Sequence, residues 1–259
     1  MIRKLMQKDH EIVQALLQEE QAYNLFIIGD IEAYGYESEF QEIWGDFTTD
    51  GNLRAVLLRY HQSFIPYGKG NFDVEGFVSC IKDYSVTTLS GKTNIIEKFE
   101  GFLPVLEKKK KIDTYFSECR NIIFPETQSQ VQLASLREVD QIIRLREKIK
   151  EFYITKESRT MLIQTIENKT GRTYYIEVDG NIVSCASTTA ENSQSAMIVG
   201  VCTDPSFRKK GFASSVVEKI IVDLITDGKT LCLFYDNPAA GRIYKQLGFE
   251  DIGMWTMYR

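Results

Sequence analysis

The stretch VCTDPSFRKKGFAS, residues 201–214, decides how the chain is read. It follows a run from 196 to 202 that is apolar except at Gly200, the pattern of a central strand buried on both faces. It leads into an amphipathic helix over 211–227, with Val216, Val217, Ile220, Ile221, Leu224 and Ile225 on one side and Gly228 where a C-terminal cap belongs. The turn sets Gly211 and Ala213 where a backbone has to approach something closely. The first N–H groups of a helix have no intrahelical partners and carry partial positive charge, so they suit phosphate oxygens, and Arg208, Lys209 and Lys210 add cations. Taken alone, these residues fit a capped turn with solvated charges equally well.

Outward from this turn the pattern alternates. Downstream come a strand at 230–235, a helix at 238–247 with Pro238 in its first turn, and a strand at 249–258. Upstream the second half starts with a strand at 131–134. A helix through Ile142, Ile143, Leu145 and Ile149, a second at 160–167, and strands at 173–178, 182–189 and 196–203 follow, the strands joined by Asp179-Gly180-Asn181 and Glu191-Asn192-Ser193. The first half reads as a strand at 2–5, helices at 11–17 and 22–33, strands at 42–48, 53–60 and 63–67, a helix at 74–81, a strand at 85–89 and a helix at 93–102. After the lysine run 108–111 and a strand at 112–116, the polar stretch 125–130 sets a boundary near residue 127. The expectation is two α/β domains, 1–127 and 128–259.

Composition narrows the function. The 259 residues carry a formal net charge of −5, which does not favour nucleic acid or anionic lipid as partners. The N-terminal segment carries charges throughout, without the apolar run of a signal peptide or membrane span, so a cytoplasmic location is expected. Five scattered cysteines read as buried free thiols; with two histidines and no C-x-x-C pair, neither a metal site nor a Ser/His triad is expected.

A second cluster supplies specificity. Asn237-Pro238-Ala239-Ala240 is followed by Tyr244 and by Leu247-Gly248-Phe249. Together, Arg208-x-x-Gly211-x-Ala213 and Asn237-x-x-Ala240-x-x-x-Tyr244 with Gly248-Phe249 resemble the two cofactor motifs of the GCN5-related N-acetyltransferase (GNAT) superfamily over roughly residues 130–259. The wording is most similar to its FR47-like branch. The resemblance implies a GNAT fold, a mixed and mostly antiparallel sheet flanked by helices, and acetyl-CoA as cosubstrate without a metal. It implies that main-chain groups of Val201, Cys202 and Thr203 pair with the pantetheine arm, and that Arg208, Lys209, Lys210, Gly211, Phe212, Ala213 and Ser214 surround the pyrophosphate. Asn237 lies near the thiol end, Ala240 leaves room, and Tyr244 stands beside the sulfur as general acid. Locally, Asn237 reads equally as a helix N-cap and Tyr244 as a packed aromatic.

The implied activity is direct acetyl transfer to a primary amine of a small molecule or peptide. A CoA-binding sensor without turnover, or an enzyme using another acyl-CoA, remains open, as does oligomeric state. Several superfamily members carry a glutamate base in the strand at 196–203; here Glu191 in the preceding turn is the nearest acidic candidate, with solvated charge as the other reading. Cys202, among apolar neighbours, reads as packing rather than a nucleophile. Ser90-Gly91-Lys92-Thr93 lacks the glycine a P-loop needs at Val86. Gly68-Lys69-Gly70-Asn71 precedes a helix as Lys210-Gly211 does, and the first half alternates in a similar order, which suggests a degenerate GNAT-like domain.

Overall fold

Strand alternation and helical periodicity resolve into two units in the computed structural model, which describes residues 1–123 and 130–259: Met1–Phe116 with Ile252–Arg259, and Ser117–Asp251. The boundary expected at residue 127 lies outside the described residues.

In the unit Ser117–Asp251, strands β7 (Val131–Leu133), β8 (Thr173–Val178), β9 (Asn181–Thr189), β10 (Ser195–Thr203) and β11 (Thr230–Tyr235) lie side by side in that order. The β10–β11 pair is parallel and the others antiparallel. Helices α5 (Val139–Glu147) and α6 (Lys156–Glu167) precede β8, while α7 (Phe212–Thr226) and α8 (Pro238–Gln246) flank β11. The period-2 alternation of the strands sends Tyr174, Ile176, Ala186, Ile198 and Leu233 to the core shared with Val216, Val217, Ile220, Ile221 and Leu224 of α7. Tyr175, Ile182, Cys185 and Cys202 face the opposite way, against Val139, Ile142, Leu145 and Leu162. Burial of each large α7 side chain contributes about 1.5–3 kcal/mol, which fixes the helix and with it the turn at its N-terminus.

In the unit Met1–Phe116 with Ile252–Arg259, strands β1 (Ile2–Lys4), β2 (Gln41–Phe47), β3 (Leu53–Tyr60), β4 (Ser63–Gly68), β5 (Thr88–Lys92) and, from Ile252 onward, β12 (Glu250–Tyr258) follow one another. Helices α1 (His10–Gln18) and α2 (Leu25–Tyr34) pack with one core, α3 (Val74–Ile81) and α4 (Thr93–Glu100) with another. Strand β6 (Lys111–Cys119) gives its first six residues to this unit and its last three to the other. The order β1-α1-α2-β2-β3-β4-α3-β5-α4 recurs in the second unit as β7-α5-α6-β8-β9-β10-α7-β11-α8, each with one parallel pair, β4–β5 and β10–β11. The last strand of the chain pairs with β5, from Trp255↔Lys92 to Tyr258↔Leu89.

Two expectations are corrected. The strand expected at 85–89 runs from Thr88 to Lys92, so Ser90-Gly91-Lys92 is sheet rather than a phosphate loop. Strand β10 is not buried throughout: Ala196, Met197 and Ile198 are, but Val199 is 37% exposed and Gly200 and Val201 are half-buried. Apolar continuity could not reveal this, because the loss of cover comes from the neighbouring strand.

Candidate active site

That neighbour is β11. Its parallel pairing with β10 runs from Ser195↔Thr230 to Ile198↔Leu233 and stops. On the other edge the β9 register shifts between Val199 and Cys202, a bulge at which Gly200 takes φ +64°. A bulge increases twist and bends its strand. From residue 199 onward β10 therefore parts from β11, and a cleft of about 620 Å³ opens between them.

The cleft is lined by Val201, Cys202 and Thr203 from β10, by Arg208, Lys209, Gly211, Phe212, Ala213 and Ser214 from the turn into α7, and by Asn237, Ala240 and Tyr244 from α8. The two sequence clusters thus meet across one opening. Gly211 stands at the N-cap of α7 with φ +83°, the left-handed conformation that glycine adopts without a Cβ penalty, and supplies no side-chain cap. The first N–H groups of the helix consequently have no capping side chain, which suits an anionic ligand group. The donor set fits the diphosphate of a CoA ester: main-chain N–H groups, Arg208 and Lys209, and no carboxylate from the turn itself among the lining residues.

Three expected residues behave differently. Lys210 is not among the lining residues; its Nζ sits over the Phe207 ring, 4.9 Å from the centroid. Asn237 accepts from the Ala239 amide at 2.9 Å, so its side-chain oxygen caps α8 while the residue lines the cleft. Glu191 lies off the cleft: its carboxylate accepts from Arg172 at 2.8 Å and lies 3.5 Å from Lys229, with only 7% of the side chain exposed. It belongs to the turn before the N-terminal end of β10, whereas the cleft opens at the C-terminal end, about 25 Å away along nine strand residues.

Tyr244 packs edge-on against Phe249 and tilted against Tyr235, both rings at 6.0 Å. Burial disfavours its phenolate and pushes its pKa up to about 12. Its hydroxyl stays protonated at neutral pH and makes no hydrogen bond among the described residues. Tyr235 donates to Asp251 at 2.8 Å, which fixes the ring under Tyr244.

Sequence reasoning missed Ile149, Glu151 and Phe152, which line the cleft from the segment after α5. Glu151 and Asp236 are the carboxylates that line the cleft. Nothing in the local pattern marks them, since exposed acidic residues in loops are ordinary. It also missed two pairings behind the bulge. Cys185 and Cys202 are opposed on β9 and β10 with their sulfurs 3.6 Å apart, and Arg146 Nη2 donates to Ser187 at 2.6 Å. A Cβ at Gly200 would come within 3.2 Å of that guanidinium, so the glycine makes room for Arg146 as well as for the bulge. Among the described residues no group of three or more His, Cys, Asp or Glu could hold a metal ion, and no helix is long and apolar enough to cross a membrane.

This arrangement can be set beside known proteins. The sequence profile of the GNAT acetyltransferase family matches residues 110–258, more than half of the chain. The chain belongs to that family. No match was found among curated protein sequences. Solved structures share the fold. A GCN5-related N-acetyltransferase from Sphaerobacter thermophilus aligns over 100% of this chain and 94% of its own, at 12% identity and TM-score 0.63. A tandem GNAT protein from the clavulanic acid biosynthesis pathway aligns over 100% and 97%, at 11% identity and TM-score 0.58. A putative GNAT acetyltransferase from Novosphingobium aromaticivorans is 20% identical with TM-score 0.50; the alignment covers 57% of this chain and 64% of that one.

Proposed function

We propose that the protein transfers the acetyl group of acetyl-CoA to a primary amine, in the cleft between β10 and β11. The observation that carries this reading is the end of the β10–β11 ladder at Ile198↔Leu233, beside an α7 N-terminus without a side-chain cap. A pantetheine arm extended along residues 199–203 finds main-chain groups no longer paired with β11, while its diphosphate lies at the helix end. The attacking nitrogen must be neutral. Glu151 or Asp236, directly or through water, accepts its proton. The nitrogen lone pair adds to the acetyl carbon, the tetrahedral intermediate collapses with cleavage of the C–S bond, and Tyr244 gives its proton to the departing thiolate. Glu191, held by Arg172 and Lys229, has no part in this scheme.

The first unit completes the reading as a degenerate copy of the second. Its element order is the same, but the helix equivalent to α7 is α3, whose N-cap Asp73 accepts from Gly76 N at 2.8 Å. A carboxylate occupies the place where a diphosphate would bind, so this unit does not repeat the chemistry of the second. The tandem arrangement named for the clavulanic acid pathway protein favours the same view.

The test incubates the full chain with acetyl-CoA and a panel of amines, follows released thiol, and measures acetyl-CoA binding calorimetrically. Turnover with at least one amine supports the proposal. Binding without turnover on a broad panel favours a CoA-responsive sensor, turnover with another acyl-CoA alone revises the donor, and failure to bind any CoA ester overturns the reading.

A further inference from the structure

Cys185 and Cys202 face each other in register across antiparallel strands β9 and β10. Directly opposed residues in such a pair have Cα atoms about 4.5–5.5 Å apart, within the span a disulfide bridges. The two sulfurs stand 3.6 Å apart, Cys185 fully buried and Cys202 6% exposed and lining the cleft. The remaining cysteines are separate: Cys80 lies on α3 in the other unit, Cys119 lies by Asn121 and Leu247, and Cys232 on β11 pairs in register with Met197. The Cys185 thiol is pulled below the ordinary thiol value, first by the hydrogen bond from Cys202 and then by the Arg146 cation. Arg146 has no ion-pair partner among the described residues, and its Nε is buried without a hydrogen bond. Its charge therefore acts on the sulfurs without neutralisation by a carboxylate.

We propose that Cys185 and Cys202 form a redox-active dithiol that low-molecular-weight disulfides convert to a cross-strand disulfide, displacing the β10 edge along which an acyl-CoA would lie. Cys202 Sγ, at the cleft, attacks one sulfur of the incoming disulfide while its proton passes to Cys185, which starts as the thiolate; the incoming S–S bond breaks and one thiolate leaves. That thiolate takes up the proton from Cys185. Cys185 Sγ then attacks Cys202 Sγ, the mixed disulfide breaks and a second thiolate leaves. The pair loses two electrons and the added disulfide gains them, leaving as one thiol and one thiolate that takes its proton from solvent. Contraction from 3.6 Å to a bonded sulfur distance of about 2 Å draws Cys202 towards β9, away from the cleft. The effect on acyl-CoA rests on the function proposed above; the disulfide itself does not.

The folded full chain is treated with oxidised glutathione, its remaining thiols are blocked, and it is cut with a glutamate-specific protease, which separates Cys185 from Cys202 at Glu191. The expected result is a linked pair of peptides carrying Cys185 and Cys202, abolished by dithiothreitol and by Cys202→Ala, retained in Cys232→Ala, and formed at least tenfold more slowly in Arg146→Gln. Acetyl-CoA affinity falls at least tenfold on oxidation and returns on reduction. Absence of the linked peptides, or their appearance only after denaturation, overturns the proposal, and so does a disulfide that leaves affinity unchanged. Reduced protein that binds no CoA ester counts against the acetyltransferase reading, while the linked peptides still report on the dithiol.

Discussion

Gly241 lies directly against Tyr235: a Cβ at residue 241 would fall 2.3 Å from Cε2 of that ring. The ring is held from the other side by its hydrogen bonds to Asp251 and carries Tyr244 at 6.0 Å. Backbone closeness at one glycine of α8 thus sets the height at which the Tyr244 ring stands in the cleft. Gly241→Ala gains helix propensity, about 1 kcal/mol, but forces α8 and Tyr235 apart. The expected outcome is a lower Tm in thermal unfolding together with a fall in acetyl transfer beyond the loss of folded protein. A variant with unchanged Tm and activity shows that the contact is slack.

Tyr244→Phe keeps the ring packing and removes the proton. A fall in kcat of about 10²-fold is expected, with acetyl-CoA affinity within a factor of a few. Because burial raises the hydroxyl pKa to about 12, wild-type activity should show no alkaline limb from this group up to pH 10. The sign for stability follows: the unfolded tyrosine ionises near 10.0 while the folded one stays protonated, so stability falls as pH rises above 10.0 towards about 12. Stopped-flow thiol release against pH, and Tm against pH, check the two halves.

At Gly211 the cost of a side chain is conformational. A Cβ would meet nothing within 4 Å, yet φ is +83°. Gly211→Ala should destabilise by about 1–2 kcal/mol and, by moving the first N–H groups of α7, weaken acetyl-CoA binding at least tenfold in calorimetry. Gly51, also at positive φ and with open space around it, is the matched control; its alanine variant should lose similar stability without loss of binding.

Glu191 separates a structural carboxylate from a chemical one. Glu191→Gln leaves Arg172 and Lys229 without their shared buried partner, a cost of about 1–3 kcal/mol, while turnover by the folded fraction stays at the wild-type level. By contrast, Glu151→Gln or Asp236→Asn should lower kcat at neutral pH with little change in Tm, because both residues are exposed. Steady-state kinetics alongside thermal melts distinguish these outcomes.

Much of the fold was legible in the sequence because secondary structure is encoded locally. Period-2 and helical apolar spacing, Asp179-Gly180 with both residues at positive φ, and proline at the start of α8 set elements at 53–60, 74–81, 173–178 and 230–235 that coincide with those observed. The two motif clusters likewise fall on a turn and a helix that line one cleft, since the conformations they demand are local.

What the tertiary structure decided is relational. The parting of β10 from β11 after Ile198, the arrival of Glu151 at the cleft, the withdrawal of Glu191 into an ion pair, and the opposition of Cys185 to Cys202 each depend on residues far apart in the chain. The pairing of the C-terminal strand with β5 is of the same kind. Register and closure minimise the free energy of the whole packed chain, so a pattern read along one strand reports which face is apolar but not where its neighbour leaves it. In this protein the departure of that neighbour opens the cleft.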